Sequence, residues 1–411
     1  MDVIVARQGA LDVHKAQVTA CVRVPGADGA RAQDVKQFKT TVGGLLVLAD
    51  WLKAHQVTHV VMEATGDFWK PVWHILEADF ELMLVNARHV KNLPGRKTDV
   101  GDSVWLCQLA EAGLLSASFV PPKPIRDLRL LTRYRRTQIA ERRREAQRLH
   151  KALETGIKLD CVATDILGKS GRAMLDALVT GTTDPELLAE LARGKLRPKI
   201  PALREALEGH FEPLHAVLIG AILQHLDFLD GQIEQISDAI EEQMRPFARQ
   251  AELLCTIPGV QKRTAEILIA EIGVDMSVFP TAGHLASWAG QCPGNDQSAG
   301  KRRSGKTRKG SKHLNAALTD AAMAALRTND SYLQALYRRK KPQLGHGRAL
   351  GAVKHSMLCA IWHMLSTGEL YNDLGSEYFA RRDPDRQTRR LVAQLERLGH
   401  TVTLQDAPLA A

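Results

Sequence analysis

No CxxC pair occurs among the six cysteines, which stand singly at 21, 107, 161, 255, 292 and 359. This excludes a zinc ribbon and a disulfide framework, both of which need paired spacing, and makes a reducing cytosol the simplest setting. Long apolar runs are missing as well: "AVLIGAIL", residues 216–223, is far short of a membrane span. The first residues, "MDVIVARQGALDVHK", meet Asp and Arg too early for a secretory signal. No export, insertion or membrane partner is expected. No low-complexity tract dominates, and a composition 45% hydrophobic and 25% charged is that of a folded globular protein. What the chain does have is length and positive charge. Its 411 residues suggest two or three domains of roughly 150 residues each. Lys and Arg number 55 against 46 Asp and Glu, a formal charge of +9. That favours a polyanionic partner, although charge alone does not choose between nucleic acid, ribosome and anionic membrane.

The first 124 residues read as an α/β domain. Apolar and polar positions alternate in "ALDVHKAQVTACVRV" and break near His14 and Lys15, which predicts two strands of a hairpin. "KQFKTTV" predicts a third strand, "GGLLVLADWLKAH" a helix, "THVVMEA" a buried strand and "FWKPVWHILEA" a helix. "FELMLVNA" then predicts a strand and "DVGDSVWLCQLAEAG" a last helix. Three strands followed by alternating helices and strands fit a mixed sheet with flanking helices, as in the ribonuclease H architecture. "VPPKP" at 120–124 closes this unit.

The remainder reads as mainly helical. Residues 125–151 hold ten Lys or Arg against three acids at near-helical apolar spacing, a long basic helix whose Arg133, Arg136 and Arg143 are candidate nucleic-acid contacts. Residues 155–200 are broken by Gly and Pro. Helical character returns from 202 to 247, where Ile219, Ile222, Leu226, Leu229, Ile233, Ile236 and Ile240 follow a 3,4 repeat. Two readings stay open: a coiled coil that pairs two protomers, or two helices packed within one chain. In "LLCTIPGVQKRTAEILIAEIG", residues 253–273, a helix, a PGV turn and a second helix match a helix-hairpin-helix. In that motif the turn amides and the helix N-terminus hold a DNA phosphate, so Gly259 and Lys262 are candidate contacts. Gln261 stands where many such motifs have a second Gly, and a purely structural turn is the alternative. The expected segments are 1–124, 125–249, 250–345 and 346–411, the last a helix with a charged tail.

Four acids of the first segment stand out by position. Asp12 lies in the first strand, Glu63 ends "THVVME", and Asp99 and Asp102 begin the last helix, where i, i+3 spacing points them at one spot. Carboxylates gathered together repel unless a cation neutralises them. Mg²⁺ and Mn²⁺ prefer oxygen ligands, and two such ions about 4 Å apart stabilise the attacking and leaving oxygens of a phosphodiester. Singly, each acid has a plain alternative: a turn for Asp12, an ion pair with Lys70 for Glu63, a helix cap or dipole partner for Asp99 and Asp102. Together, in a basic chain, they favour metal. His14, Lys15, Thr65 and Trp69 lie beside them, as orienting groups or as packing.

"LDVHK", "VVMEATGDFWKPVWHIL", "VNARHVKNLPGRKTDVGDSVWLCQLAEAGLL" and the distal "IPGV...LAEIG...F...LASWAGQCPGNDQSAGKRRSGK" resemble the IS one-ten, or DEDD, family of insertion-sequence transposases, which includes Piv-type DNA invertases. The resemblance implies a RuvC-like N-terminal domain with an Mg²⁺-binding quartet, here Asp12, Glu63, Asp99 and Asp102. It implies a C-terminal domain with a serine nucleophile in a "P...QSG"-like motif, here "PGNDQSAG" and Ser298. It further implies DNA as donor and target, a structured noncoding guide RNA, and a homodimer or tetramer working in the bacterial cytoplasm at the nucleoid. One departure is visible: Ala299 separates Ser298 from Gly300.

A serine is a weak nucleophile unless its proton is taken, and attack on a phosphodiester builds charge that cations and metal stabilise. Seven Lys or Arg fill residues 301–312, among them Lys301, Arg302, Arg303, Lys306 and Arg308, which suits them to the backbone. Ser304 and Ser311 lie inside that run, where phosphate contact or capping of the helix at "KHLNAAL" fits better. The expected function is therefore a transposase or recombinase. A metal-dependent junction resolvase or nuclease, an invertase without RNA guide and a nucleic-acid-binding scaffold are the alternatives.

Overall fold

The computed structural model describes residues 4–26, 30–63, 66–86, 99–154, 156–294 and 296–405, and the chain divides into two compact units, 1–120 and 121–411. In the first unit β1 (Gln8–Val13), β2 (Gln17–Pro25), β3 (Arg31–Lys39), β4 (His59–Glu63) and β5 (Glu81–Val85) form one sheet in the order β3-β2-β1-β4-β5. The first three strands are antiparallel neighbours, while β1, β4 and β5 run parallel. Parallel neighbours need crossover connections, and α1 (Val42–Ala54) and α2 (Trp69–Leu76) lie between the strands in question.

Strand alternation sorts the side chains into two layers. Leu11, Val13, Val18 and Val22 pack with Leu45, Leu48 and Leu52 of α1 and Val72 and Leu76 of α2. Ala10, Cys21 and Val61, of the opposite parity, pack with Leu106, Cys107 and Ala110 of α3 (Asp99–Glu111). Each fully buried leucine contributes about 1.5–3 kcal/mol. β3 starts at Arg31, five residues before the "KQFKTTV" expected for it. Its early residues are mostly exposed and polar, so no alternation marks them; pairing with β2 along the sheet edge makes them a strand.

The second unit begins with α4 (Lys123–Leu153), with Pro124 in its first turn, where a missing N–H costs nothing. The 155–200 stretch, silent in sequence, holds α5 (Leu159–Val162), α6 (Lys169–Val179) and α7 (Pro185–Glu190); α8 (Ile200–Leu207) and α9 (Pro213–Met244) follow. Leu149 and Leu153 of α4, Met174, Leu175 and Leu203 share one core with Ile219, Leu223 and Leu226 of α9. All seven heptad residues of α9 are buried in the isolated chain, and α9 packs along α4. Of the two readings left open for this seam, helices packed within one chain is therefore the one present here. A 3,4 repeat selects a packing face; it does not say whose helix covers it.

Next come α10 (Ala248–Cys255), α11 (Lys262–Ile272) and α12 (Ala282–Trp288), then a hairpin of β6 (Asp296–Ser298) and β7 (Lys301–Ser304). The chain continues through α13 (Lys312–Ala325), α14 (Tyr332–Thr367), which breaks at Gly345 with φ +74°, α15 (Tyr378–Arg382) and α16 (Pro384–Arg397). Among the described residues no helix is long and apolar enough to cross a membrane.

Candidate active site and nucleic-acid interface

The register of β1 on β4 pairs Leu11 with Met62. One step further, at the carboxyl ends of these adjacent parallel strands, stand Asp12 and Glu63, on strands about 4.8 Å apart. Their parity is that of Ala10 and Val61, so both face the α3 side of the sheet. α3 runs back along β1: Glu111 O accepts from Ile4 N at 2.7 Å, and Cys107 Sγ lies 3.4 Å from Gln8 O. Its first turn is thus carried toward the strand ends that bear Asp12 and Glu63. Asp102 precedes buried Leu106 by one turn and shares its face, but is exposed. The Asp99 side chain lies outside the described residues, as do Thr65 and residues 87–98.

The sheet therefore sets Asp12 and Glu63 side by side on adjacent strands, and the first turn of α3, which carries Asp102, runs toward that end. Asp12 is 17% exposed and lies 3.1 Å from His14 Nε2. Among the described residues, no three His, Cys, Asp or Glu side chains come close enough to hold a metal ion. The donors themselves are all carboxylate oxygens, a set that fits Mg²⁺ or Mn²⁺ better than softer metals.

In the second unit Ser298 pairs with Lys301, leaving Ala299 (φ +48°) and Gly300 (φ +75°) as the two central residues of the hairpin turn. Left-handed backbone at both positions is the turn geometry whose twist suits a two-residue hairpin. Glycine adopts it freely; at Ala299 the Cβ costs about 1 kcal/mol. The residue that separates Ser298 from Gly300 is thus half of the turn. Ser298, Lys301, Arg303, Lys306 and Arg308 are all exposed, while the Arg302 side chain lies outside the described residues. The loop is tied at its base by Gly294 N donating to Lys306 O at 3.1 Å. Gly290 and Gly310 pass so close that a Cβ on Gly310 would lie 2.1 Å from Ala289 O.

The serines separate by their partners. Ser304 Oγ accepts from Lys306 N at 3.2 Å. Ser311 caps α13, accepting from Leu314 N at 3.3 Å, and donates to Glu271 Oε2 at 2.8 Å.

Much of the basic helix is engaged inside the fold. Arg133 grips Glu271 through two hydrogen bonds, 2.7 and 2.9 Å, and Glu271 is only 1% exposed. Burial alone would push that carboxyl up, but Arg133, Arg129 and the Ser311 hydroxyl hold it below the usual carboxylate range. Arg129 donates to the Ala270 and Glu271 carbonyls at 2.9 and 2.6 Å, capping the end of α11, and burial pulls its guanidinium down to about 10. Arg135 pairs with Glu266, both 3% exposed, Arg136 with Asp320 at 2.9 Å, and Lys262 with Glu241 at 2.7 Å. Gly259, at φ +85°, would place a Cβ 2.2 Å from Ala321 O, so its turn packs tightly on α13. Of the basic residues singled out on α4, Arg143 alone is exposed and without an ion pair or hydrogen bond to any described residue.

Sequence reasoning missed Glu266 and Glu271 as partners, although two acids on the apolar face of "RTAEILIAEIG" are a signal for buried cations. It also missed Lys354 of α14, whose Nζ donates to Asn315 Oδ1 at 2.7 Å and whose ammonium is pulled down by burial. Gln291, at the base of the serine loop, donates to the same oxygen at 3.1 Å.

Both ends of the chain match transposase family models. Residues 10–157 match the DEDD transposase model of IS110, and residues 251–338 match the model for transposases of the IS116/IS110/IS902 family. The first match includes all four acids, the second the Ser298 hairpin. Among curated proteins, the chain is 27% identical over 205 residues to the uncharacterized 43.6 kDa protein of insertion element IS110 from Streptomyces coelicolor, covering 46% of this chain and 50% of that protein. It is 25% identical over 271 residues to the pilin gene-inverting protein of Moraxella bovis, covering 64% and 66%. To the uncharacterized 42 kDa protein of insertion element IS900 from Mycobacterium paratuberculosis it is 27% identical over 164 residues, covering 39% and 40%. The matched segments thus span less than two thirds of each relative.

Proposed function

We propose that this protein is a DNA transposase or site-specific recombinase, with Ser298 as nucleophile and a divalent cation held by Asp12, Glu63, Asp99 and Asp102. The observation that supports the reading is that one chain matches two transposase family models, one over the segment that sets Asp12 beside Glu63, the other over an exposed Ser298 ahead of a basic arm. Mg²⁺ or Mn²⁺ would neutralise charge on the phosphodiester oxygens. Lys301, Arg302, Arg303, Lys306 and Arg308 hold the backbone and offset the charge that grows as Ser298 Oγ attacks phosphorus. His14 orients the Asp12 carboxylate. The bond to phosphorus passes from a DNA oxygen to Ser298 and back to a DNA hydroxyl, so joining needs no ATP. The mechanism requires serine and acids to act on one phosphodiester, within a chain or between protomers of a dimer or tetramer. The RuvC-like character of the first domain and the helix-hairpin-helix at Gly259 belong to the same reading.

The test uses DNA bearing the element's own ends with Mg²⁺ present. The unaltered protein is expected to form a covalent protein–DNA adduct and joined strands, and both Ser298→Ala and Asp12→Ala to lose them. Cutting at full rate by Ser298→Ala would make the protein a metal-dependent nuclease; full joining by both variants would leave a scaffold. A structured RNA that co-purifies and is required for site choice supports guidance by RNA. Full activity after ribonuclease treatment would favour a protein-read invertase, the reading that similarity to a pilin gene-inverting protein supports.

A further inference from the structure

Between α4, α11 and α13 lies a groove of about 290 Å³ that the chemistry above does not use. Arg136 and Arg143 of α4, Arg263 and Thr264 of α11, and Asp320 of α13 line it over an apolar strip that includes Ile139. Arg143 and Arg263 are exposed and form no ion pair or hydrogen bond with any described residue. Arg136 is held by Asp320, and Arg135 in the wall is taken by Glu266. Three guanidiniums thus face the groove against one competing carboxylate.

Guanidinium forks match the paired oxygens of a phosphate, and the apolar strip strengthens such contacts by excluding water. The volume sits at the lower end of ligand pockets, roughly 300–1,000 Å³, which leaves little room for a bulky organic ligand. Arg136 and Arg143 stand two helical turns apart, about 10.5 Å along the axis. That spread suits a polymer of repeated phosphates better than one free anion. We infer that this groove binds a nucleic-acid phosphodiester backbone, with Arg143 and Arg263 as its standing cations and Asp320 as a competitor that yields Arg136 when phosphate enters. The inference rests on the nucleic-acid reading above and adds a binding surface separate from the serine loop.

DNA and RNA share this chemistry, so the full chain is titrated into duplex DNA and into a structured RNA across a salt series. The double variant Arg143→Ala, Arg263→Ala is expected to bind roughly tenfold or more weakly. Its slope of log K against log salt becomes shallower by about two, one for each phosphate the variant no longer neutralises. Asp320→Asn is expected to bind more tightly. Weakening on one polymer alone identifies the source. Because both arginines are exposed and have no ion pair or hydrogen bond among the described residues, the thermal midpoint should hold, and Arg143→Lys with Arg263→Lys should keep most of the affinity. Unchanged affinity and slope on both polymers, or weaker binding by Asp320→Asn, overturns the groove. An unaltered chain that binds neither polymer overturns both readings; the expected changes beside a Ser298→Ala that still joins strands keep the groove and remove the serine mechanism.

Discussion

Glu271 draws three groups from distant parts of the second unit: Arg133 from α4, the Ser311 hydroxyl from the start of α13, and the influence of Arg129. Arg133 keeps 37% of its side chain exposed, so removing the Glu271 charge leaves chiefly the buried Arg129 uncompensated, and Glu271→Gln is expected to destabilise by about 1–3 kcal/mol, measured by urea unfolding. The sign of the pH effect follows from the depressed carboxyl. Its contribution is complete above the unfolded-state pKa, about 4.3, and is lost as pH falls through the lower folded value. The unfolding midpoint of the unaltered chain should therefore fall on acidification below about pH 4 more steeply than that of Glu271→Gln; parallel curves would remove Glu271 as the cause. At this scale residue types were legible and partners were not. Arg133 and Arg143 look alike in "TRYRRTQIAERRREAQ", yet one is bound to a carboxylate 138 positions away and the other is exposed.

The α9 repeat shows the same division among elements. Its period was readable because apolar spacing is local, and the helix it predicts is present. Its cover was not readable: α4 is legible as a helix but not as the partner of α9, and the small helices of 159–207 are short and each buries only a few residues. Leu226→Ala is expected to cost about 2–5 kcal/mol of stability with no change in oligomeric state, checked by denaturant unfolding and sedimentation. Dissociation of an oligomer by this substitution would return the seam to a protomer contact. β3 makes the complementary point: its polar early residues are a strand because β2 offers an edge. The serine hairpin is readable only in part, because a turn with Ala299 at φ +48° breaks the usual preference for Asn or Gly there.

For the whole molecule, the two cores around the sheet draw, among the described residues, only on positions within 1–120. A fragment ending at residue 120 is thus expected to unfold cooperatively, by circular dichroism in urea, and non-cooperative unfolding would show that the sheet depends on the second unit. The sequence by itself determined the element order of the sheet, the basic helix and the kinds of group available for chemistry, because periodicity, turn residues and carboxylate spacing act over a few positions. It also carried the family resemblance that the two domain matches support. Only the tertiary structure decided which arginines are neutralised, which face of α9 is already covered, and that Asp12 and Glu63 stand on adjacent strands of one sheet. Those outcomes depend on approach between elements tens to hundreds of residues apart, and no local pattern encodes the distance at which two side chains meet.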